Sequence, residues 1–534
     1  MPDSLTVRRV LGDRPFAETG TPSAVAVSRE RGIAVVAGDL GHLKWPGDST
    51  AGYGWRPYRV GVYGTDDLRC RRLVESRWPV HSLAVHPTLP LVAVGTGDFD
   101  PDMAFEGELL LIDLESGRSR TMMRSPREVL RVEWESPRAL RLKVAPTYED
   151  YLDEPEAQAY DVLVERPDWG AAPRGSVQQK ELRGPLVAFE RARADGAAVE
   201  ALAELSGRPW QPRRQVWDVR GLPDGRVLAC LEGVLAEAWL PDGRLAWRVA
   251  DAEGGRQLVV RPLDAWVNVP RRATRPPGGA PGTEAPFVAR LSLADGTTLG
   301  TLPLDSSVTI STRRDGWLAL RPAGPGTRYD PRPVALVPPG KEAPQHSVNL
   351  GGFVPGNHAL PVRHSSRLLF LQGKETEPVP HTWVVEVDPD DGCAPRHLFP
   401  LDWRTPARHL CGGRGIELGP PDGPDLVHAG TTYTPGPAFG AFVVRRSLAD
   451  GAVRWEFTAD CPATAMDGDE DTVYVAFNSG EVVALGASDG TVRRRYRPTV
   501  DGLPVVPLSV QLAGADRLLL GTVDGRVLDC AVER

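Results

Sequence analysis

The chain has 534 residues, of which 41% are hydrophobic and 25% are charged, a composition typical of a globular protein that can bury a large core. Its formal net charge of −8 at pH 7 argues against a broad basic face, so we expect no nucleic-acid partner. The sequence has neither the apolar core of a signal peptide at its start nor a run of about 18 apolar residues, so we expect a cytoplasmic protein without a membrane partner.

Short alternating segments follow one another in groups of four along the chain. We count about ten such cycles, which begin near Ser23, His81, Glu128, Val216, Gln257, Val308, His358, Ala407, Ala463 and Val505. Acidic-Gly turns, such as Asp242-Gly243 and Asp489-Gly490, end many third segments and suit tight hairpins. A four-strand period of about 40–60 residues predicts an all-β fold, a β-propeller with four-stranded antiparallel blades. Between seven and ten blades fit this count.

The first alternating segment, LTVRRVLG at residues 5–12, stands apart from the cycles. The last cycle has only three segments, so residues 5–12 are predicted to add its fourth strand and to close the propeller. This arrangement favours a single propeller unit over residues 1–534, with two smaller propellers as the alternative.

Residues 185–206, PLVAFERARADGAAVEALAELS, interrupt the cycles. Their Ala, Leu and Glu content and their spacing predict a helical insertion of two short helices that break at Asp195-Gly196. Phe189, Val199, Leu202 and Leu205 are expected to face inward. The insertion is interpreted as a cap between two blades, with a docking element for a partner as the alternative.

Two cycles resemble known propeller repeats. HSLAVHPTLPLVAVGTGD followed by GELLLIDLESG is similar to the WD40 repeat, with Ile112-Asp113 where that family has Trp-Asp. TVYVAFNSGEVVALGASDGTVRRRY, residues 472–496, resembles a PQQ-type repeat in the placement of glycines and aromatic residues. The resemblance implies a bacterial β-propeller with divergent repeats. It implies no single function, because propellers serve both as scaffolds and as enzymes.

Connections from second to third segments carry most of the extra length. In a propeller these connections share one face, where binding and catalysis are usually found. Their aromatic and arginine residues are the types enriched in interfaces. The predicted binding residues are Trp45, Trp55, Phe99, Arg271, Arg272, Arg275, Arg328, Tyr329 and Tyr433. The alternative is that these loops bury their rings among themselves.

Two runs of alternating aspartates resemble the acidic clusters that bind cations. Asp98, Asp100 and Asp102 alternate in one connection, and whether they bind a cation stays open. Asp467, Asp469 and Asp471 also alternate, and we interpret them as a solvated turn.

Cys393, His397, His409 and Cys411 have a zinc-like spacing, but propeller geometry puts the two halves at opposite edges of their blades. No catalytic residue, metal or cofactor is therefore assigned. His42, His81, His358, His364 and His409 are the histidines expected near the channel or the elaborated face, mostly in structural roles.

Two functions are considered first for such a chain, and a structural member of an operon-encoded multi-protein complex with no ligand of its own is a third. The first is a non-catalytic interaction scaffold or recognition subunit that binds a protein or peptide partner on its loop-rich face. The second is a propeller enzyme of bacterial metabolism (a lyase, a hydrolase or a cyclase) that binds a small molecule at the mouth of the central channel.

Overall fold

The computed structural model describes residues 5–43, 54–100, 104–147, 150, 157–190, 195–270, 285–323, 333–351, 360–373, 382–401, 409–420, 423–433 and 439–533. Contacts divide the chain into two compact units. One comprises Arg14–Gly41 and Arg56–Pro212, and the other comprises Met1–Asp13, His42–Trp55 and Arg213–Arg534. None of the helices in the described ranges has the length and apolarity that a membrane crossing requires.

The first unit contains three four-stranded antiparallel sheets within the described residues, numbered as blades 1 to 3, and is called the three-blade unit. Blade 1 has strands Thr21–Ser28, Ile33–Asp39, Tyr58–Gly64 and Cys70–Ser76. Blade 2 has strands Val80–Val85, Leu91–Asp100, Ala104–Asp113 and Ser119–Thr121. Blade 3 has strands Val129–Trp134, Ala139–Val144, Gln158–Glu165 and Leu186–Ala188. The unit also holds the α-helix Asp195–Ser206 and the 3₁₀ turns Ala17–Thr19 and Gln179–Leu182.

The second unit contains blades 4 to 10 within the described residues and is called the seven-blade unit. Blade 4 has strands Arg214–Gly221, Val227–Glu232, Val234–Trp239 and Leu245–Ala250, and blade 5 has Gln257–Val260, Asp264–Val269, Phe287–Ser292 and Thr298–Pro303. Blade 6 has Val308–Thr312, Leu318–Pro322, Val334–Val337 and His346–Val348, and blade 7 has Val362–Arg363, Leu368–Gly373, Thr382–Val387 and Pro395–Pro400. Blade 8 has His409–Leu418, Asp425–Tyr433, Phe439–Ser447 and Val453–Ala459, and blade 9 has Ala463–Gly468, Thr472–Phe477, Val482–Gly486 and Val492–Tyr496. Blade 10 has Pro507–Gly514, Arg517–Thr522, Val527–Ala531 and Thr6–Leu11, and the short pair Thr499–Val500 and Leu503–Pro504 precedes it.

Apolar residues form a core between neighbouring blades. Ile33–Asp39 and Thr472–Phe477 are buried along almost their whole length, because a middle strand has a blade on each side. Outer strands such as Thr298–Pro303 are largely exposed. The ten cycles read from the sequence therefore correspond to ten blades in the described residues, and the all-β propeller fold is confirmed.

The N-terminal segment adds the fourth strand of blade 10, as predicted. Thr6–Leu11 pairs antiparallel with Val527–Ala531, and Leu11 lies opposite Val527. Inner strands of the seven-blade unit contact one another in chain order, and Arg214–Gly221 also contacts Pro507–Gly514. There the N–H of Gln215 donates to the carbonyl of Val523 at 2.8 Å. Blade 4 is thereby joined directly to blade 10.

Two elements differ from the sequence prediction. Residues 186–188 form the outer strand of blade 3 instead of a helix, because they pair with residues 158–160. In the described part of residues 185–206 the second predicted helix forms, over Asp195–Ser206, and it buries Leu202 against Phe16, Val36 and Tyr63. In blade 7, Val362–Arg363 pairs in parallel with the inner strand of blade 8 and leaves a sheet of three strands behind it. The choice between one propeller and two smaller ones stays a prediction.

Candidate functional site

A cavity of about 420 Å³ opens within the seven-blade unit, and we call it the channel cavity. Every blade of this unit contributes to its wall from an inner strand. The contributing residues include Asp218, Gln257, Ile310, Arg363, Gly415, Met466 and Gln511. The cavity lies at the ends of these strands where the turns to the second strands begin.

Two buried carboxylates, Asp218 in the lining of the channel cavity and Asp467 next to that lining, pair with two lining arginines, and we call this group the floor. Arg363 Nη2 donates to Asp218 Oδ1 at 2.6 Å, and Arg220 Nη2 lies 3.2 Å from Asp218 Oδ2. Arg363 also lies 3.7 Å from Asp467 Oδ2, which accepts the N–H of Leu512 at 2.9 Å. Burial lowers the pKa of Arg220, and the nearby charge of Arg363 lowers it further. Each floor carboxylate is thus held by a guanidinium.

His364 stands beside this floor and contacts Asp467. Its Nε2 lies 2.6 Å from Asp467 Oδ1, while 42% of its side chain is exposed. Burial alone would raise the pKa of Asp467, but the hydrogen bond with His364 and the charge of Arg363 outweigh it and lower that pKa. His364 has a backbone φ of 56°, a left-handed conformation that is uncommon outside glycine and is often found at functional sites. His364, one of the histidines expected near the channel or the elaborated face, lines this cavity.

Three arginines line the channel cavity on the turns of blades 5 and 6. Arg313 is bound by carboxylates, at 2.6 Å from Asp315 and 3.1 Å from Asp388, with Asp390 as a third partner. Arg261 donates to the carbonyls of Gly316 (2.7 Å) and Lys341 (3.2 Å) and lies over the ring of Trp266.

Arg314, in contrast, is exposed, and within the described residues its guanidinium has no hydrogen-bond or ion-pair partner. Only its backbone N–H is engaged, with the carbonyl of Ser365 at 2.8 Å. The site therefore combines charge-paired arginines with a free one.

A second cavity of about 540 Å³ lies next to the first and shares Arg314 and His364 with it. Glu417 lines it and accepts hydrogen bonds from the hydroxyls of Ser365 at 2.7 Å and Ser366 at 2.5 Å. Because Glu417 binds two hydroxyls next to His364, it fixes the backbone that carries that histidine.

The sequence places the predicted binding residues in connections from second to third strands, whereas the channel cavity lies at the turns from first to second strands. Turns from first to second strands lie at the opposite end of an antiparallel blade from the connections between second and third strands. Trp45, Arg271, Arg272, Arg275, Arg328 and Tyr329 lie outside the described residues. Phe99 and Tyr433 lie in strands, but their side chains are not among the described ones, and Trp55 is half-buried. The predicted binding residues therefore stay a prediction.

Asp467 was missed by the sequence reasoning. Its interpretation as part of a solvated turn is wrong, because Asp467 is fully buried at the end of an inner strand, whereas Asp469 and Asp471 do lie in the turn. Thr464 to Gly468 are all buried on this strand, so alternation along the strand does not single out Asp467. Asp218 lies on another inner strand that is buried at both parities.

Metal-like patterns are not assembled in the described part of the chain. His397 Nε2 lies 2.7 Å from Gln372 Oε1, and Cys393 contacts the carbonyl of Pro389. His409 and Cys411 have no described side chains. Asp98 and Asp100 lie in a strand that pairs with residues 104–106, so they do not form the loop that was expected, and Asp102 is outside the described residues. No group of three metal-binding side chains occurs among the described residues.

The repeated four-stranded blades define the chain as a β-propeller-type repeat protein. No protein-family model matches the chain, and no curated protein sequence matches it. Among solved structures, BamB from Moraxella catarrhalis is similar with a TM-score of 0.36 and 13% identity, over 60% of this chain and 96% of that chain.

Proposed function

We propose that the chain is a recognition subunit, which binds a segment of a protein partner in the channel cavity of the seven-blade unit. The observation that carries this proposal is the cavity itself, about 420 Å³ in volume and lined by side chains of seven inner strands. A rigid, concave site with a few fixed polar groups is the usual form of a recognition pocket.

The floor of the cavity supports binding more than bond breaking. Asp218 and Asp467 are both held by Arg363, and Asp218 is also held by Arg220. Carboxylates paired in this way fix the positions of the arginines. The arginines then present preorganised donors, which lowers the entropy lost on binding.

The edge of the cavity supports a protein partner. Arg314 is exposed there, and Leu263 follows the lining residues Arg261 and Pro262. Leu263 is 85% exposed, far more than any other large apolar residue in the described part of the chain. An exposed arginine together with an exposed apolar side chain provides the contact types that dominate protein interfaces.

The long connections, at the other ends of the strands, are proposed as a separate contact surface for a protein partner. Trp45 and Trp55 are the aromatic residues that we expect to contribute most to this contact. The double variant Trp45→Ala with Trp55→Ala is expected to keep the fold and to lose the partner, and unchanged recovery of the partner would remove these connections from the proposed interface.

A photo-crosslinking amino acid at position 263 tests the proposed function in the native host. We expect one protein to crosslink at 263 and not at Val453, an equally apolar position on an outer strand of blade 8. Thr312→Trp, which fills the cavity, is expected to abolish both the crosslink and binding of the purified partner. Equal crosslinking at 263 and 453, or binding that survives Thr312→Trp in a folded variant, would contradict the proposal.

His364 favours a second candidate, a propeller enzyme that acts on a small molecule in the same cavity. A buried Asp467 at 2.6 Å holds the imidazole Nε2, an arrangement that orients a general base. His364→Gln separates the two candidates. An enzyme would lose turnover by about 100-fold or more, whereas a recognition subunit would keep its partner with at most a small change in affinity.

A further inference from the structure

We infer that the segment bound in the channel cavity carries an oxyanion, a carboxylate or phosphate group on a side chain, which the cavity arginines hold. This inference rests on the proposed function and names the chemistry of its ligand. The charge of the cavity walls carries it.

Cations outnumber anions among the residues that line the cavity. The cationic side chains are Arg220, Arg261, Arg313, Arg314, Arg363 and Arg414, and the acidic ones are Asp218 and Asp315. Three further carboxylates, Asp388, Asp390 and the buried Asp467, bind these arginines from outside the lining. The positive charge is therefore confined to those arginines that no carboxylate binds.

Pairing within the protein does not neutralise all of these charges. Three carboxylates surround Arg313, and Asp218 with Asp467 balances Arg220 and Arg363.

Arg261 and Arg314 differ from these arginines. Within the described residues neither guanidinium has a carboxylate within 4.0 Å, and Arg261 binds backbone carbonyls. Arg414 donates Nε to the carbonyl of Thr464 at 2.9 Å. Among the described cavity arginines, Arg314 is thus the one whose guanidinium no protein group binds, whereas carbonyls hold Arg261 and Asp264 is its electrostatic partner.

These guanidiniums come from different blades and face one space. Arg261 belongs to the first turn of blade 5, Arg314 to that of blade 6, and Arg414 to the inner strand of blade 8. A carboxylate or phosphate has several acceptor lone pairs and can bridge arginines that a neutral amide cannot satisfy. The oxyanion supplies the partner that Arg314 lacks.

The test uses the full-length protein and three peptides, N-acetyl-Gly-Leu-X-Leu-Gly with X as Gln, Glu or phosphoserine, measured by isothermal titration calorimetry. We expect the Glu or the phosphoserine peptide to bind at least tenfold more tightly than the Gln peptide, about 1.4 kcal/mol in binding free energy. Preference for Glu identifies a carboxylate ligand, and preference for phosphoserine identifies a phosphate. Inorganic phosphate is expected to compete.

Arg314→Ala is the matched variant, and Arg244→Ala is its control. Both remove one positive charge, but Arg244 is exposed on blade 4 and bound to Asp242 at 2.7 Å, away from the cavity lining. We expect Arg314→Ala to weaken the charged peptides at least fivefold and to leave the Gln peptide unchanged, while Arg244→Ala changes neither.

Three results would overturn the inference. One is equal binding of all three peptides, another is equal loss in Arg314→Ala and Arg244→Ala, and the third is no binding at millimolar peptide. If one of these results is found but Thr312→Trp still abolishes the crosslink at position 263, the proposed function stands and the inference of an oxyanion ligand is wrong. If the protein with Thr312 unchanged gives no crosslink at position 263, the proposed function itself is contradicted.

Discussion

Glu237 shows how single charged residues stabilise this protein from within. Its carboxylate is fully buried and accepts hydrogen bonds from Arg213 at 2.5 and 2.6 Å and from Trp239 Nε1 at 2.9 Å. Arg213 also donates Nε to the carbonyl of Gly525, next to blade 10. Arg248 Nε also donates to Glu237 at 3.2 Å. The Arg213–Glu237 pair therefore joins blade 4 to blade 10, and the loss of the Glu237 charge removes the carboxylate that balances the buried Arg213.

Glu237→Gln is expected to lower the free energy of unfolding by roughly 3–5 kcal/mol, because it keeps the side-chain shape and leaves the charge of Arg213 buried. Urea unfolding checks this value. Asp242→Asn removes the carboxylate of the exposed Asp242–Arg244 pair and is expected to cost less than about 1 kcal/mol. Equal losses in the two variants would show that burial of the pair contributes nothing.

Glu237 is also expected to make the free energy of unfolding depend on pH. Burial would raise the pKa of Glu237, but the charge of Arg213 outweighs it and lowers that pKa. A carboxylate with a lowered folded pKa stabilises the protein above its unfolded value, about 4.3, and loses this effect as the pH falls through the folded value.

The difference in unfolding free energy between the native protein and Glu237→Gln should thus be constant from pH 7 to about 5 and shrink below about 4. Urea midpoints at several pH values measure it. A difference that grows toward acid would show that the folded pKa is raised and not lowered.

At the scale of elements, the helix Asp195–Ser206 depends on a single buried leucine. Leu202 packs among Phe16, Val36 and Tyr63 of the three-blade unit. Leu202→Ala is expected to cost about 2–5 kcal/mol, because it removes buried methyl groups and leaves a space that rigid strands cannot fill. Glu204→Ala on the exposed face of the helix is expected to change the unfolding free energy by less than about 0.5 kcal/mol. Thermal unfolding of both variants compares them.

The N-terminal strand is the second element whose role can be measured. Thr6–Leu11 covers the edge of Val527–Ala531, and Leu11 is buried with Val219 and Leu519. Removal of residues 1–12 is expected to lower the melting temperature and to cause concentration-dependent association, because it exposes an unpaired edge. A synthetic peptide of residues 1–13 should restore both. Removal of residues 1–4 alone is the control and should have no effect.

Elements were predictable where one pattern dominates. Val80–Val85 and Ala463–Gly468 begin within a residue of the positions read from the sequence, because alternating apolar residues between turn signals fix a strand. Leu186–Ala188 was not predictable in this way. A strand of three residues is too short to show an alternating pattern. The helix-forming residues after it favoured a helix over the whole segment, but residues 186–188 pair with residues 158–160.

The candidate site was less predictable, because it is assembled from single residues on distant strands. Arg363 and Asp218 are 145 positions apart, and no local spacing links them. Asp467 lies in an acidic run that is typical of a solvated turn, and its burial follows from its place on an inner strand that is buried from Thr464 to Gly468. Loop length drew attention to one end of the strands, while the described cavity lies at the other end.

At the scale of the whole molecule, contacts group the chain into two units that do not follow a simple cut of the sequence. The three-blade unit takes residues 14–41 and 56–212, and residues 42–55 between them belong to the seven-blade unit. Each unit has cores of its own, such as the cluster around Trp169 in blade 3 and the one around Tyr474 in blade 9. Local stability should follow these cores.

Hydrogen exchange measured by mass spectrometry separates one cooperative propeller from two. Leu202→Ala lies in the three-blade unit and Glu237→Gln in the seven-blade unit. If the units open independently, Leu202→Ala speeds exchange of the slowest amides only in residues 14–41 and 56–212, and Glu237→Gln only in residues 213–533. The two losses in unfolding free energy then belong to separate transitions. If all blades form one cooperative unit, either substitution speeds the slowest amides of both sets by the same factor, because each of these amides then exchanges through global unfolding.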